Sequence, residues 1–132
     1  MGRILLDTDV LINLLEKEKQ EICFRLINEN VLHLSTISIF EFLHGVYRTN
    51  KNAEKIKNFI DKYFKVLNVE QGISKKAAEI SAELAKDGKI LDARDLLIAS
   101  TAIVHNLRLW TENRKHFNRL EGHGLRFYSS ED

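Results

Sequence analysis

Residues 3–15, RILLDTDVLINLL, combine a strand-like run, a carboxylate and a helix start within one short stretch. The apolar run at 4–6 is too short for a helix and lacks polar alternation, which predicts a strand buried on both faces. Asp7 ends this run, and Thr8 and Asp9 are residue types that begin helices. Because ligands of open parallel sheets bind just beyond the carboxyl ends of the strands, the pattern places Asp7 at a ligand-binding position.

Short apolar runs alternate with helical patterns along the rest of the chain. Further strands are predicted at 31–34, 66–69, 108–110 and 125–128. Helices are predicted at 8–15, 21–30, 38–47, 50–65, 74–86 and 92–105, with a short turn or helix at 114–118. This alternation predicts an α/β fold with a parallel sheet and helices on both faces.

Length and composition predict one intracellular domain. The 132 residues fit a single core, and we expect one domain spanning 1–132. No apolar run approaches the roughly 20 residues of a membrane span, and the amino terminus lacks signal-peptide features. The single Cys23 cannot form an internal disulfide and is expected in the core, so a cytoplasmic protein is predicted. The net charge of +1 indicates no particular partner.

The predicted helix at 38–47, SIFEFLHGVY, carries one acid among apolar residues. Its apolar side chains, Phe40 among them, are expected to be buried. Glu41 lies between them, and a carboxylate is rarely buried without a partner. We favour a carboxylate that faces a polar pocket over a solvated gap between two apolar faces. His44 shares its helix face, but a Glu-x-x-His metal site requires a second such pair, which the chain lacks.

The segment KILDARDLLIASTAIVH carries two further acids. Asp92 is expected to cap the helix, and an acid at Asp95 in the first turn suits the helix dipole. Helix capping accounts less well for Asp95, because the helix behind it is almost wholly apolar and therefore central. We expect Asp95 to meet Asp7 and Glu41 in one cleft, with Asn113 following the strand at 108–110.

A cluster of three carboxylates requires neutralisation. Two unit charges about 4 Å apart repel by roughly 4 kcal/mol at an effective dielectric constant near 20. A proton or a divalent cation relieves that repulsion, and oxygen ligands select Mg²⁺ or Mn²⁺. These ions support phosphodiester hydrolysis. A kinase, a GTPase and a serine hydrolase are disfavoured, because the chain has neither a glycine-rich phosphate loop nor a Gly-x-Ser-x-Gly motif.

Four segments together resemble one known family. LLDTDVLI, SIFEFLHG, DARDLLIASTA and LWTENRKHF are similar, in order and spacing, to the motifs of PIN-domain nucleases, and most of all to small VapC-type toxins. The resemblance implies a three-layer α/β/α sandwich with a mainly parallel sheet. It also implies a Mg²⁺- or Mn²⁺-dependent endoribonuclease that cuts tRNA, rRNA or mRNA, forms a homodimer and binds a cognate antitoxin over the apolar helices at 39–64.

The resemblance also assigns residues. Asp7, Glu41 and Asp95 match the three main acids and are expected to hold the metal ion. Asn113 stands where the family often has aspartate, which disfavours a second tightly held metal ion. As the implied fourth catalytic residue, Asn113 is expected to accept from a metal-bound water or to donate to phosphate. The implied accessory residues are Asp9, Asp92, Thr111 and Glu112, and the implied RNA-binding residues are Arg94, Arg114, Lys115 and Arg119. Alternatively, each of these four cations is simply a solvated charge on the protein surface.

Two alternatives remain open from the sequence. Asp7, Thr8 and Asp9 also satisfy the Asp-x-Asp motif of haloacid-dehalogenase-type phosphatases, although the helix begins too early for their usual loop and flap. A non-catalytic PIN-like domain that binds RNA or a partner is the other alternative. It is disfavoured because all three main acids are present.

Overall fold

A sheet of five parallel strands forms the centre of the protein in a computed structural model that describes residues 2–49 and 52–129. The strands are β1 (Gly2–Leu6), β2 (Asn30–Ser35), β3 (Lys65–Leu67), β4 (Arg108–Trp110) and β5 (Arg126–Phe127). Their spatial order is β3-β2-β1-β4-β5, and every pairing is parallel. The predicted parallel sheet is therefore confirmed.

Helices connect the strands and cover both faces of the sheet. They are α1 (Thr8–Leu14), α2 (Gln20–Glu29), α3 (Thr36–Arg48), α4 (Ala53–Tyr63), α5 (Gln71–Lys86), α6 (Ala93–Val104) and α7 (Arg114–Phe117). Two 3₁₀ segments, Lys17–Lys19 and Asn118–His123, complete the connections. In the described part of the chain, no helix is long and apolar enough to cross a membrane.

Two hydrophobic cores lie on opposite faces of the sheet. Ile4 and Leu6 of β1 pack with α1 to α4, whereas Leu5 packs with α5, α6 and α7. Successive strand residues point to opposite faces, so one uninterrupted apolar run supplies both cores. This arrangement is the three-layer α/β/α sandwich expected from the sequence.

Helices α3, α4 and α5 begin at other residues than predicted, and the starts of α3 and α4 have a side-chain cap. Helix α3 begins at Thr36 rather than at 38, because the Ser35 hydroxyl accepts a hydrogen bond from the Ile37 amide at 3.1 Å. Asn52 similarly caps α4 by accepting from the Lys55 amide at 3.0 Å. The predicted first residues of that helix, at 50 and 51, lie outside the described residues. Helix α5 begins at Gln71 rather than at 74.

The expected burial of Phe40 was wrong. Its side chain is 65% exposed, whereas Phe42 and Val46 of the same helix are buried. Phe40 lies two residues before Phe42, and residues two apart point to different sides of a helix. One side of α3 therefore presents an aromatic residue to solvent.

The strand order reverses beside β1. The chain builds β2 and β3 on one side of β1, then returns to add β4 and β5 on the other. Leu6 is in register with Trp110, and the Asp7 amide donates to the Trp110 carbonyl at 2.9 Å. A crevice at the carboxyl ends of β1 and β4 is the usual ligand position of such a sheet.

Candidate active site

Asp7 and Thr111 lie side by side at the switch point of the sheet, the place beside β1 where the strand order reverses. Each follows directly after its strand, β1 or β4, and each is 8% exposed. The Thr111 hydroxyl donates to Asp7 Oδ2 at 2.8 Å, and the Thr8 amide donates to Asp7 Oδ1 at 2.8 Å. Asp7 therefore caps α1 while its carboxylate is held at a fixed position in the crevice.

Burial and neighbouring acids make the charge on Asp7 unfavourable. The pKa of Asp7 is raised from 3.8 to about 6, mainly by burial and also by the negative charges of Asp9 and Asp95, which together outweigh the lowering effect of its two hydrogen bonds. The pKa of Asp9 is also raised, mainly by burial, with contributions from Glu112 and Asp95. Asp7, Asp9 and Asp95 are thus near enough to repel one another, whereas the sequence led us to expect Glu41 rather than Asp9 in this group.

Asp9 has an unsatisfied oxygen. Its Oδ2 accepts from the Glu112 amide at 3.3 Å, whereas Oδ1 is buried and has no hydrogen-bond partner among the described residues. Buried carboxylate oxygens are normally satisfied. The orphaned atom is therefore a place where a cation or a water molecule would be stabilised.

Asp95 is held by a residue that the sequence analysis missed. It lies in the first turn of α6, which Asp92 caps by accepting from the Arg94 amide at 2.8 Å. His116 Nε2 lies 2.9 Å from Asp95 Oδ2, and both side chains are half-buried. The sequence signal for His116 was its place in LWTENRKHF, directly after Lys115, but the sequence analysis assigned it no role.

Glu41 faces the same crevice but is already paired. Its Oε1 accepts from the Thr8 hydroxyl at 2.6 Å, and its Oε2 lies 3.5 Å from an Nη1 atom of Arg94. Arg94 also donates from Nε to Asp92 Oδ1 at 3.2 Å. The guanidinium therefore bridges two acids at the rim of the crevice, and Glu41 is partnered rather than solvated.

The loop after β4 is connected to α1. Glu112 accepts at Oε1 from Asn13 Nδ2 at 2.8 Å, and the Asn113 amide donates to the Thr111 hydroxyl at 3.0 Å. The Asn113 side chain is exposed and makes no hydrogen bond within the described residues. The structure places it beside the crevice and leaves its predicted contact with phosphate or water as a prediction.

The remaining candidate cations lie on and after α7. Arg114, Lys115 and Arg119 are all exposed. The Arg114 guanidinium stacks over the Phe127 ring at 4.9 Å, so its stem is anchored against β5. Within residues 2–49 and 52–129, Lys115 and Arg119 form no ion pair, and both remain available to an anion.

The acids have the right ligand chemistry for a hard cation, although they are not arranged as a finished metal site. In the described part of the chain, no three His, Cys, Asp or Glu side chains lie close enough to share one metal ion. The donors are nevertheless all carboxylates, the pKa of Asp7 is raised, and Asp9 Oδ1 is orphaned. All three observations fit a site whose charge a divalent cation would balance.

Known proteins resemble this chain over most of its length. Residues 4–122 match the PIN domain family. The chain is 36% identical to Ribonuclease VapC1 of Methanocaldococcus jannaschii, covering 96% of this chain and 88% of that one. It is 25% identical to the tRNA(fMet)-specific endonuclease VapC of Shigella flexneri, covering 92% and 95% of the two chains. VapBC2 of Rickettsia felis, solved bound to a promoter DNA fragment, superposes with a TM-score of 0.79 at 26% identity, covering 96% and 97%.

Proposed function

Because the chain belongs to the PIN domain family, and within it to the VapC ribonucleases, we propose that it is a metal-dependent endoribonuclease toxin. The observation that carries the proposal is the group of mutually repelling aspartates, Asp7, Asp9 and Asp95, at the switch point of the sheet. Buried charge of one sign at a crevice is costly unless a ligand of the opposite sign binds there. The proposed enzyme is one cytoplasmic PIN domain spanning 1–132, with tRNA, rRNA or mRNA as its substrate.

Asp7, Asp95 and Glu41 are the proposed ligands of Mg²⁺ or Mn²⁺, with Asp9 and Asp92 as accessory acids. A divalent cation held there supplies positive charge to the phosphodiester and makes a water molecule more acidic. Thr111 fixes Asp7 through its 2.8 Å hydrogen bond, and His116 fixes Asp95 through its 2.9 Å contact. These two contacts hold the carboxylates at constant orientation while RNA binds.

Glu41 orients the attacking water in this proposal. Its Oε2 is paired with Arg94 at 3.5 Å, so it becomes available when Arg94 turns to an RNA phosphate. Arg114, Lys115 and Arg119 hold neighbouring phosphates, and Asn113 donates to the phosphate that is cut. The attack of water on phosphorus then leaves a 5′-phosphate and a 3′-hydroxyl.

The structure gives no support to the phosphatase alternative. Helix α1 begins at Thr8, directly after Asp7, and its first turn contains Asp9. Because the helix continues directly after Asp9, the chain has no room there for the loop and flap that haloacid-dehalogenase-type phosphatases have. The presence of all three main acids likewise favours a nuclease over a domain that only binds RNA.

Cleavage of structured RNA tests the proposal. Purified protein is incubated with tRNA and rRNA fragments in Mg²⁺, in Mn²⁺ and in EDTA, and the 5′ ends of the products are analysed. We expect metal-dependent cutting that is lost in Asp95→Asn and retained in Asp87→Asn, which makes the same change at the exposed end of α5. Cutting that survives both EDTA and Asp95→Asn would contradict the assignment of the site.

A groove of about 700 Å³ between α1, α2, α3 and α4 is the proposed antitoxin site. Its floor and walls are largely apolar, including Cys23, Phe24, Phe42 and Phe59, and Glu41 lies among its lining residues. A helix or extended tail with an apolar face fits such a groove. A basic side chain on that segment would reach Glu41 and compete with Arg94.

We expect Phe24→Asp to abolish capture of the cognate antitoxin and Val104→Asp, a change outside the groove, to leave it intact.

The outer side of α3 is the proposed homodimer surface. Phe40 and Tyr47 are 65% and 68% exposed and lie seven positions apart, which places them on one stripe of the helix. Exposed aromatic stripes are commonly covered by another chain. Sedimentation analysis should give a dimer for the wild type and for Ile22→Glu, and a monomer for Phe40→Glu. A monomeric wild type would contradict this surface.

A further inference from the structure

A second cavity, of about 330 Å³, lies beside the crevice between α1, α2 and the end of β4. Val10, Leu14, Ile22 and Leu26 supply its apolar walls, and Trp110 supplies an aromatic one. Trp110 is half-buried and packs against Tyr128 at a ring-centroid distance of 5.0 Å, so its ring is held in place. Apolar walls together with a fixed aromatic ring suit a flat ring as ligand.

Two cations line the same cavity. Lys19 precedes α2 and Arg25 lies one and a half turns into it, so both reach the cavity from one side. Neither forms an ion pair with any of the residues that the structure describes. Unpaired cations beside an apolar cavity suit a ligand that carries both an apolar ring and a negative charge.

The cavity adjoins the carboxylate crevice through one residue, Glu112. Asn13 and Glu112 both line the cavity, and they are joined by the 2.8 Å hydrogen bond between Asn13 Nδ2 and Glu112 Oε1. The Glu112 amide in turn donates to Asp9 Oδ2 at 3.3 Å. Glu112 therefore contacts Asp9 on one side and lines this cavity on the other, so an RNA chain bound at Asp9 would lie next to the cavity.

We propose that this cavity binds an unpaired base of the RNA substrate next to the phosphodiester that is cut, an inference that rests on the proposed nuclease function. The base lies against Trp110, and the phosphate of the same nucleotide lies between Lys19 and Arg25. The Glu112 carboxylate accepts from base amino groups, as acidic side chains do with cytosine. A base that is paired within a duplex cannot enter the cavity, so the subsite favours cleavage in single-stranded segments.

The chain contains its own reporter for this binding, because Trp110 is its only tryptophan. A short single-stranded RNA of mixed sequence is titrated into the protein in EDTA, and tryptophan fluorescence is recorded. Anisotropy of the same RNA carrying a fluorescent label gives the Kd independently. We expect saturable quenching of Trp110 with a Kd that matches the anisotropy value, and weaker quenching by the same RNA annealed to its complement.

Two matched pairs of variants locate the site. Ile22→Asp places a negative charge in the cavity wall, and Val104→Asp makes a comparable change at the far end of α6. Arg25→Glu reverses a cavity cation, and Arg3→Glu reverses an exposed cation on β1. We expect each cavity variant to raise the Kd about tenfold, the scale of one base stack, while the two controls bind as the wild type does.

The possible failures are distinguishable. If RNA is bound and cut while Trp110 fluorescence stays constant, the cavity is not the subsite and the nuclease function stands. The same conclusion follows if Ile22→Asp and Arg25→Glu bind RNA as tightly as their controls. If the folded wild type neither binds nor cuts any RNA, the proposed nuclease function fails, and the subsite fails with it.

Discussion

The buried carboxylate of Asp7 should destabilise the metal-free protein, and Asp7→Asn should therefore stabilise it at neutral pH. The asparagine side chain is neutral at every pH, and asparagine is as good a helix cap for α1 as aspartate. The Thr111 hydroxyl can donate to the new amide oxygen or accept from its nitrogen. The substitution thus removes the charge while it keeps the local hydrogen bonds.

The size of this effect follows from the pKa of Asp7. A rise from 3.8 in the unfolded chain to about 6 in the folded protein corresponds to about 3 kcal/mol. Because the folded state binds the proton more tightly, stability is lost as the pH rises through about 6, and the loss is absent below 3.8. The advantage of Asp7→Asn over the wild type should therefore be about 2 to 3 kcal/mol larger near pH 7 than near pH 4.

Urea unfolding in EDTA, followed by Trp110 fluorescence, measures this difference. The exposed Asp87→Asn variant is the control and should differ from the wild type by less than about 0.5 kcal/mol at both pH values. Addition of Mg²⁺ should reduce the difference in free energy of unfolding between Asp7→Asn and the wild type near pH 7, since a bound cation stabilises only the wild type. If the difference in free energy of unfolding between Asp7→Asn and the wild type does not change with pH, the reasoning is refuted. It is also refuted if Asp7→Asn is less stable than the wild type at the higher pH.

His116→Ala removes the contact with Asp95 and should lower the single-turnover cleavage rate at least about tenfold, with little change in Tm. His116→Asn keeps a hydrogen-bonding side chain and should recover part of the rate. Equal losses in Ala and Asn variants would contradict a positioning role for His116. Arg94→Gln should weaken RNA binding and lower the slope of log Kd against log salt by about one, and an unchanged slope would exclude a phosphate contact. Ser35→Ala should lower the free energy of unfolding by about 1 kcal/mol through loss of the α3 cap, whereas Ser81→Ala on the exposed side of α5 should not.

Much of the fold followed from local patterns in the sequence. The apolar run before Asp7 became β1, and β4 has the bounds that the pattern predicted, Arg108–Trp110. Asp92 caps α6 as expected. These features depend on hydrophobic periodicity and on cap chemistry, and both are encoded within a few neighbouring residues.

The interactions across the crevice depend on tertiary distance, which no local pattern encodes. The pairing of Arg94 with Glu41 joins α6 to α3, and the contact of His116 with Asp95 joins α7 to α6. The exposure of Phe40 has a similar origin, because an apolar helix does not reveal which of its sides faces the sheet. The metal, RNA and catalytic roles of these residues remain predictions.

The segment from Thr111 to His116, which comprises the loop after β4 and most of α7, explains how the chain tolerates its crowded acids. One segment supplies a contact to each of the three aspartates: Thr111 to Asp7, the Glu112 amide to Asp9, and His116 to Asp95. Each contact places a hydrogen-bond donor or an imidazole nitrogen beside a carboxylate, so the segment offsets part of the cost of burying these acids. Since the three contacts share one short stretch of backbone, displacement of that stretch would alter all three carboxylates together. The position of this segment, rather than any single acid, should therefore determine whether the crevice can accept a cation.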